Sequence, residues 1–263
     1  MNTWLLNGAI TIAALLLLTG MFFFVATRGT LLVRGLSSAQ NSEKSHVYPL
    51  YSNMRLIKLV DFQPIISGIL LFQYHRLVSK IVAGLARTDL RNKRVLITSC
   101  AFGNVIPRVV EAAVAAGAGR VLVADIIQNE LVHARTKVEP HESKVEFIED
   151  NATAMAQPDG GVAANVIFFL LHELPDELKA RALSEAGRML EPGGRIYLAE
   201  FHRPDIWVLR ALSWTYFKVF EPFGLALWDK HDPLKWFEQA GGWTCERTTY
   251  LLGNFQVITA TKQ

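Results

Sequence analysis

Acidic, histidine and amide side chains follow the predicted buried strands of this chain, one small group after each strand. They are Ser99, Asp125, Asp150 with Asn151, His172 with Glu173, and Glu200 with His202. The carboxyl ends of parallel strands meet at one edge of a sheet, so we expect these side chains to converge there. Carboxylates and imidazoles at such an edge accept hydrogen bonds, exchange protons or bind a hard metal ion. Their spacings match no metal-binding motif, so the sequence leaves the metal unassigned.

Residues 94–125 organise this pattern because they predict one complete βαβ unit. The β-branched run Val95–Thr98 predicts a buried strand, and a polar turn leads into a helical pattern over Val105–Ala116. A second apolar run ends at Asp125. In such a unit the turn offers backbone N–H groups to an anion, and the acid about 20 residues on binds a ribose. The alternatives are a turn of an unrelated α/β enzyme and a helix N-cap role for Asp125.

The turn at residues 99–104 contains one glycine, Gly103, and no lysine follows it. A dinucleotide fold would show G-x-G-x-x-G and a phosphate loop would show G-x-x-x-x-G-K. The turn therefore argues against a bound pyrophosphate. The turn is compatible with a smaller or less charged ligand group, such as the aminoacyl end of S-adenosylmethionine.

The remaining patterns predict an α/β fold with a doubly wound, mostly parallel, seven-stranded sheet. Strands and helices alternate and end in an antiparallel pair. The predicted strands are Val145–Ile148, Val162–Leu171 and Arg195–Glu200, the helices are Asn129–Val138, Pro175–Leu190 and 205 to about 220, and a closing hairpin joins Thr248–Leu252 to Phe255–Thr261.

Length and composition exclude several classes of protein. The chain has 263 residues, 51% of them hydrophobic, and a net charge of +3, which is too small a basic excess to indicate a nucleic-acid partner. Its two cysteines, Cys100 and Cys245, form neither a disulfide framework nor a zinc cluster. A reducing compartment is the simplest setting for the folded part.

The N-terminus predicts a single-pass membrane anchor. Trp4–Val25 carries no charge and, as a helix, would be about 33 Å long, enough to cross a hydrocarbon core of about 30 Å. A signal peptide is the competing interpretation, but the basic n-region and the small-residue cleavage site are missing. Arg28 and Arg34 follow the span, so the positive-inside rule places the rest in the cytoplasm, on the inner membrane.

This gives three predicted parts: an anchor at 1–36, a linker with amphipathic or lid helices at 37–80, and a catalytic domain at 81–263. Within the linker, Phe62–Tyr74 is uncharged but too short to span a bilayer. It could be an interfacial helix, a lid over a lipid-facing pocket, or a helix packed on the domain.

The ordered motifs resemble the class I S-adenosylmethionine-dependent methyltransferases over roughly residues 80–263. They are VLITSCAFG, Asp125, Glu149-Asp150-Asn151-Ala152, FFLLHELPDE and LEPGGRIYLAEF. The turn Ser99-Cys100-Ala101-Phe102-Gly103 and the segment LLHELPDE are similar to the rhodoquinone-biosynthesis branch. The chain differs from that branch at Phe102 and Asn104, where we expect tyrosine and aspartate.

The resemblance implies a cofactor, a substrate and a set of site residues. The cofactor would be S-adenosylmethionine, with a divalent metal, manganese, and the partners a membrane bilayer and a lipid quinone. The implied cofactor-binding residues are Ser99, Ala101, Gly103, Asn104, Asp125, Ile126, Asp150, Asn151 and Ala152, and the implied catalytic residues are His172, Glu173, Glu200 and His202. For His172 a backbone hydrogen bond is the plainer role.

An aromatic group follows the fifth predicted strand: Trp207, Trp214, Tyr216, Phe217, Phe220, Phe223 and Trp228. These side chains could line a pocket for an apolar ring and its isoprenoid tail, lie among lipid headgroups, or pack in the core.

The sequence leaves three functions open. The narrow branch converts ubiquinone to rhodoquinone, replacing a ring methoxy group by an amine. An ordinary methyltransferase acting on a lipid or small molecule is the second, and a non-enzymatic membrane subunit with a vestigial methyltransferase fold is the third.

Overall fold

The computed structural model describes residues 7–8, 10–18 and 53–263, apart from the side chains of residues 219 and 220. Half of the predicted span Trp4–Val25, the basic residues Arg28 and Arg34, and the polar linker lie outside the described residues. Within them, no single helix is long and apolar enough to cross a membrane. The helices Gln63–Ile69 and Tyr74–Leu85, which meet at a bend of 97°, reach the required length and apolar composition only when they are counted together.

Seven strands form one sheet with the order β3-β2-β1-β4-β5-β7-β6. The strands are β1 (Arg94–Thr98), β2 (Arg120–Asp125), β3 (Val145–Glu149), β4 (Val162–Phe168), β5 (Leu190–Phe201), β6 (Trp243–Tyr250) and β7 (Phe255–Lys262). The first five run parallel, and β7 pairs antiparallel with both β5 and β6. The predicted doubly wound, mostly parallel sheet is confirmed.

Eight α-helices of the segment 53–263 connect and cover these strands. They are α1 (Met54–Asp61), α2 (Gln63–Ile69), α3 (Tyr74–Leu85), α4 (Val105–Ala115), α5 (Gln128–Lys137), α6 (Asp176–Met189), α7 (Trp207–Phe220) and α8 (Pro233–Ala240). Short 3-10 segments lie at Glu139–Lys144 and Pro222–Trp228.

The helices form one layer on each face of the sheet because side chains of a strand alternate between faces. In β1, Val95 and Ile97 join the core beneath α3, α4 and α5, whereas Leu96 joins the core beneath α6 and α8. Both faces of the central strands are therefore buried, as their near-continuous apolar sequences predict.

Three predicted strand bounds differ from the structure by three residues or more. The strand predicted to reach Leu171 ends at Phe168, because Phe169 has a φ of +55°, which leaves the extended region. The fifth strand begins at Leu190 and includes Pro192, where we predicted a helix stop followed by a loop. The hairpin strand β6 begins at Trp243, earlier than predicted, because its pairing with β7 extends to Lys262.

The uncharged segment Phe62–Tyr74 folds as α2 and the start of α3, joined at a sharp bend. Ile66, Leu70 and Tyr74 are buried in the core, so this part packs on the domain, whereas Phe62 and Phe72 are exposed. The predicted domain boundary at residue 81 falls inside α3.

Gly84 lets α3 lie directly against Tyr197 of β5, since a Cβ at this position would overlap the tyrosine ring. We expect Gly84→Ala to lower the free energy of unfolding by about 1–3 kcal/mol, as overpacked core positions do. Gly68→Ala in α2 is the matched control, because no atom of the described residues lies within 4 Å of its added Cβ.

Alanine is the better helix former by roughly 0.5–1 kcal/mol, so the control should be neutral or stabilised. Urea unfolding of both variants measures the difference. Equal effects of the two substitutions would contradict the close approach of α3 to β5.

Candidate functional site

A cleft lies at the carboxyl ends of β1, β2 and β4, where the strand order changes direction. Open α/β sheets bind their ligands at this switch point. The cleft encloses about 650 Å³ of space, part of it open to solvent. Its lining residues are Thr98, Ser99, Cys100, Ala124, Asp125, Ile126, Ile127, Glu130, Asp150, Asn151, Ala152, Met155, Leu170, Glu173 and Leu174.

Asp125 joins the ends of β1 and β2 through its carboxylate. Its Oδ2 accepts hydrogen bonds from the Cys100 amide at 2.6 Å and from the Ser99 hydroxyl at 3.3 Å, and its Oδ1 accepts from the Ile127 amide at 2.8 Å. Burial raises the pKa of the Asp125 carboxyl, and these donors oppose that rise. Asp125 therefore lines the cleft and also supports its wall.

The turn after β1 presents Ser99 and Cys100 to the cleft. Ser99 has a φ of +75°, and its amide donates to the Ala124 carbonyl at 2.8 Å. Burial, followed by the charge of Asp125, raises the pKa of the Cys100 thiol well above its ordinary value. The thiol is thus neutral at physiological pH and is unsuited to act as a nucleophile.

The loop after β3 forms the third side of the cleft. Asp150 accepts from the Asn151 amide at 2.8 Å and from the Ala156 amide at 2.9 Å, and Asn151 accepts from the Thr153 amide at 2.9 Å. These bonds fold the loop back on itself, so the backbone at Ala152 is held against the cleft.

Three predicted cofactor-binding residues, Ala101, Gly103 and Asn104, do not line the cleft. The Gly103 amide donates to Asp61 at 2.8 Å, and the Asn104 amide donates to Gln63 at 3.2 Å. Tyr74 fills the space beside Gly103: its hydroxyl lies 2.5 Å from the position that a Cβ would occupy. The amides that we expected to hold a ligand anion are therefore taken by side chains of α1 and of the first turn of α2.

Asp61 is the centre of a cluster that the sequence analysis missed. It accepts from Lys137 at 2.7 Å and lies 3.0 Å from Nε2 of His133. Lys137 also donates to the Gly103 carbonyl at 3.1 Å. One signal was available: Glu130, His133 and Lys137 recur at the spacing of one helix face, which turns toward the site.

Of the four predicted catalytic residues, Glu173 lines the cleft and the other three do not. His172 lies beside it as a buried pair with Glu200, with 3.1 Å between Nδ1 and Oε1. Burial alone would lower the pKa of His172, but the Glu200 charge overrides it and raises the pKa to about 9. His202 lies elsewhere: its Nδ1 is 2.6 Å from the Gly253 carbonyl, and its Nε2 is 3.3 Å from Arg247. It anchors the β6–β7 turn.

The predicted aromatic group divides between core and surface. Phe217 is buried, with its ring centroid 4.9 Å from Phe201 and 5.9 Å from Trp228. In contrast, Trp207 is 77% exposed and Trp214 is 49% exposed. The side chain of Phe220 lies outside the described residues.

Among the described residues, no group of three or more histidine, cysteine, aspartate or glutamate side chains is arranged to hold a metal ion. Nothing in these described residues therefore supports the manganese that the resemblance implies.

Sequence comparison decides the family. The sequence model of the ubiE/COQ5 methyltransferase family matches residues 60–242, which is more than half of the chain. The chain belongs to the ubiE/COQ5 methyltransferase family. The narrower resemblance to the rhodoquinone-biosynthesis branch stays a prediction.

Two curated relatives show the degree of sequence similarity. The demethylmenaquinone methyltransferase of Thermus thermophilus is 34% identical over 131 residues, covering 50% of this chain and 57% of the relative. The ubiquinone/menaquinone biosynthesis C-methyltransferase UbiE of Shewanella oneidensis is 35% identical over 109 residues, covering 40% and 43%. The chain thus spans about half the length of the curated relatives it matches.

Solved structures share the fold. An O-methyltransferase family protein from Burkholderia thailandensis has a TM-score of 0.62 at 14% identity, covering 93% of this chain and 70% of that one. The magnesium protoporphyrin IX methyltransferase of Synechocystis, solved with bound S-adenosylmethionine, has a TM-score of 0.60 at 13% identity, covering 86% and 100%. These likenesses confirm the Rossmann-like methyltransferase fold.

The cleft of this chain suits S-adenosylmethionine on its own geometry. It offers a buried acid, Asp125, at the end of β2 and a second buried acid, Glu130. One carboxyl oxygen of Glu130 has no hydrogen-bond partner within the part of the chain that the structure describes. The cofactor brings a diol and positive charge, the groups that such acids bind.

Asp61→Ala tests the cluster behind the turn. The substitution leaves Lys137 and the Gly103 amide without their shared acceptor, so we expect the free energy of unfolding to fall by about 3–5 kcal/mol. Chemical denaturation measures it. Asp89→Ala is the control, because Asp89 pairs with Arg91 at an exposed site, where an ion pair contributes little to stability. Similar losses in both variants would contradict the role of Asp61.

The His172–Glu200 pair predicts an unusual titration. With its pKa raised, His172 stays protonated through neutral pH and loses its proton near pH 9. The stabilisation that this ion pair adds is complete below the ordinary histidine pKa of about 6.5 and is lost as the pH rises through the folded value.

Imidazole NMR signals followed from about pH 5 to pH 10 should show one histidine with a midpoint near 9. That signal should vanish in His172→Gln and persist in His75→Gln, a change at an exposed histidine. A His172 midpoint at or below the ordinary value would disprove the pairing.

Proposed function

We propose that this protein transfers the methyl group of S-adenosylmethionine to a ring carbon of a lipid quinone at a membrane surface. The observation that supports it most is the cleft at the switch point between β1 and β4, lined by Ser99, Asp125 and Asp150, in a member of a quinone-methylating family. The names of its relatives from Thermus and Shewanella supply the substrate class.

The bound cofactor would supply an electrophilic methyl group on a sulfonium. Asp125 lies where a ribose diol would donate hydrogen bonds, and its position is fixed by three donors of its own chain. Ile126 and the loop Asp150–Ala152 line the part of the cleft proposed for the adenine.

The acceptor ring is assigned to the side of the cleft next to Glu173 and His172. His172 holds its proton at neutral pH, so it suits donating a hydrogen bond to a ring oxygen rather than abstracting a proton. Rings of Phe169 and Phe201 stand edge-on to the imidazole at 6.0 and 5.0 Å. Glu173 is the proposed acceptor of the proton that leaves the methylated carbon.

Exposed apolar side chains at the same edge of the sheet support a membrane location. Phe72 and Trp207 are each 77% exposed, and Leu252 is 56% exposed. The Asp205 amide donates to the Leu252 carbonyl, and Arg76 stacks on Tyr250, so these segments are neighbours. Ile10, Ile12 and Leu17 in the described helical run 10–18 are exposed as well.

We therefore include in the proposal a single-pass anchor with the catalytic domain on the cytoplasmic side of the inner membrane. A polyprenyl quinone stays in the bilayer, so its enzyme must work at the surface. The tryptophan and phenylalanine side chains at the cleft edge are residue types that favour the membrane interface.

Amine transfer is the second candidate. The observation in its favour is the turn Ser99-Cys100-Ala101-Phe102-Gly103, which resembles the rhodoquinone-biosynthesis branch. The product separates the two reactions: methylation adds a methyl group, whereas amination replaces a ring methoxy group by an amine.

The test is expression of the full chain in a bacterial host that lacks its own quinone C-methyltransferase, with the extracted quinones weighed by mass spectrometry. We expect the methylated quinone to reappear. Asp125→Asn should reduce it by about tenfold or more, the cost of a lost charge-assisted hydrogen bond. Glu149→Gln is the matched control, because Glu149 is paired in register with Asp125 but is exposed outside the cleft.

An aminoquinone would establish the second candidate instead. Unchanged quinones from a well-expressed chain, both in this host and in one that makes ubiquinone, would reject both. S-adenosylmethionine binding by the purified protein then decides the remaining alternative, since a vestigial fold should show no affinity.

A further inference from the structure

Glu130 is a buried acid in the cleft to which the reaction proposed above gives no role. Glu130 lies in the first turn of α5 and lines the cleft, and only 2% of its surface is exposed. Among the described residues, its Oε1 has no hydrogen-bond partner. An unsatisfied buried carboxyl oxygen is costly, and proteins keep such groups where a ligand completes them.

The charges that face Glu130 from neighbouring elements are mostly negative. Asp125 at the end of β2, Glu173 after β4 and Asp61 at the end of α1 all disfavour its ionised form. Lys137, on the same helix, favours it, but its amine is already bonded to Asp61 at 2.7 Å and to the Gly103 carbonyl at 3.1 Å. From the turn after β1, the Cys100 thiol adds no charge. This part of the cleft therefore favours a positively charged ligand group.

We infer that Glu130 is the counter-ion for the methionyl end of S-adenosylmethionine, which carries a sulfonium, an ammonium and a carboxylate group and is positive overall. The inference rests on the proposed function and assigns that end of the cofactor to the α5 side of the cleft. Asp125 is less suited to this task, because its two oxygens already accept bonds from Cys100, Ser99 and Ile127.

Proton release on binding is the measurable consequence. Burial, followed by the charge of Asp125, raises the pKa of Glu130 to about 8, so the free protein carries this carboxyl protonated at neutral pH. A bound cation favours the carboxylate, so the proton must leave. Since each pH unit below the pKa costs a factor of about ten, the affinity should rise about tenfold from pH 6 to pH 7.

The experiment is isothermal titration calorimetry of the purified full chain with S-adenosylmethionine, repeated in buffers of different ionisation enthalpy to count protons. It is run at about pH 6 to pH 7, where the amino group of the cofactor stays charged. We expect release of most of one proton for each cofactor bound near pH 7. 5′-Methylthioadenosine, which lacks the amino acid and the sulfonium, should bind without releasing a proton.

Glu130→Gln should abolish the proton release and flatten the pH dependence, whereas Glu139→Gln, at an exposed acid just beyond α5, should behave as wild type. Wild-type binding without proton release, equal release with 5′-methylthioadenosine, or undiminished release in Glu130→Gln would each overturn the assignment while leaving the proposed function intact. The comparison of the two ligands needs no variant, so it decides the question even if Glu130→Gln fails to fold. No binding of either ligand to the wild type would overturn both proposals.

Discussion

The carboxylate of Asp125 is the constraint on which the shape of the cleft depends. It accepts hydrogen bonds from the turn after β1 and from the start of the segment that leads into α5. These bonds fix the end of β1 relative to the end of β2. A buried carboxylate without donors would cost several kcal/mol, by an order-of-magnitude estimate. Here the donors come from the backbone of the chain itself. The cleft is therefore formed before any ligand arrives, and the same acid remains on its surface.

The sheet could be predicted from the sequence because its signals are local. Each central strand, such as Val121–Ala124, is a short run of apolar residues, and each is followed by a turn and a helical pattern. The antiparallel end of the sheet was visible in the turn at Gly253-Asn254. The bounds were less predictable where pairing decides them: β6 extends to Trp243 only because β7 offers it partners there. Likewise, the left-handed backbone at Phe169 that ends β4 has no signature in the residue type.

The site was predictable where its residues end strands and unpredictable where a distant segment supplies the contact. Asp125, Asp150 and Glu173 reach the cleft because the strand ends bring them there. Gly103 does not, because Asp61 binds its amide from 42 residues away and Tyr74 occupies the adjacent space. The spacing of residues within the turn carries no information about α1 and α3. Lys137 and His133 complete the same cluster from a helix that the sequence analysis treated only as a connection.

These contacts also explain why the turn has so few glycines. A left-handed residue other than glycine costs roughly 1–2 kcal/mol, and Ser99 adopts such a conformation. Its hydroxyl donates to Asp125 at 3.3 Å and its amide donates to the Ala124 carbonyl at 2.8 Å, so the surrounding chain holds this conformation. On the other side of the turn, Asp61 and Gln63 already occupy the amides of Gly103 and Asn104, so no ligand needs to approach that backbone closely. The loss of glycine thus matches a turn whose donors are satisfied within the chain, and it does not by itself indicate a fold that has lost its cofactor.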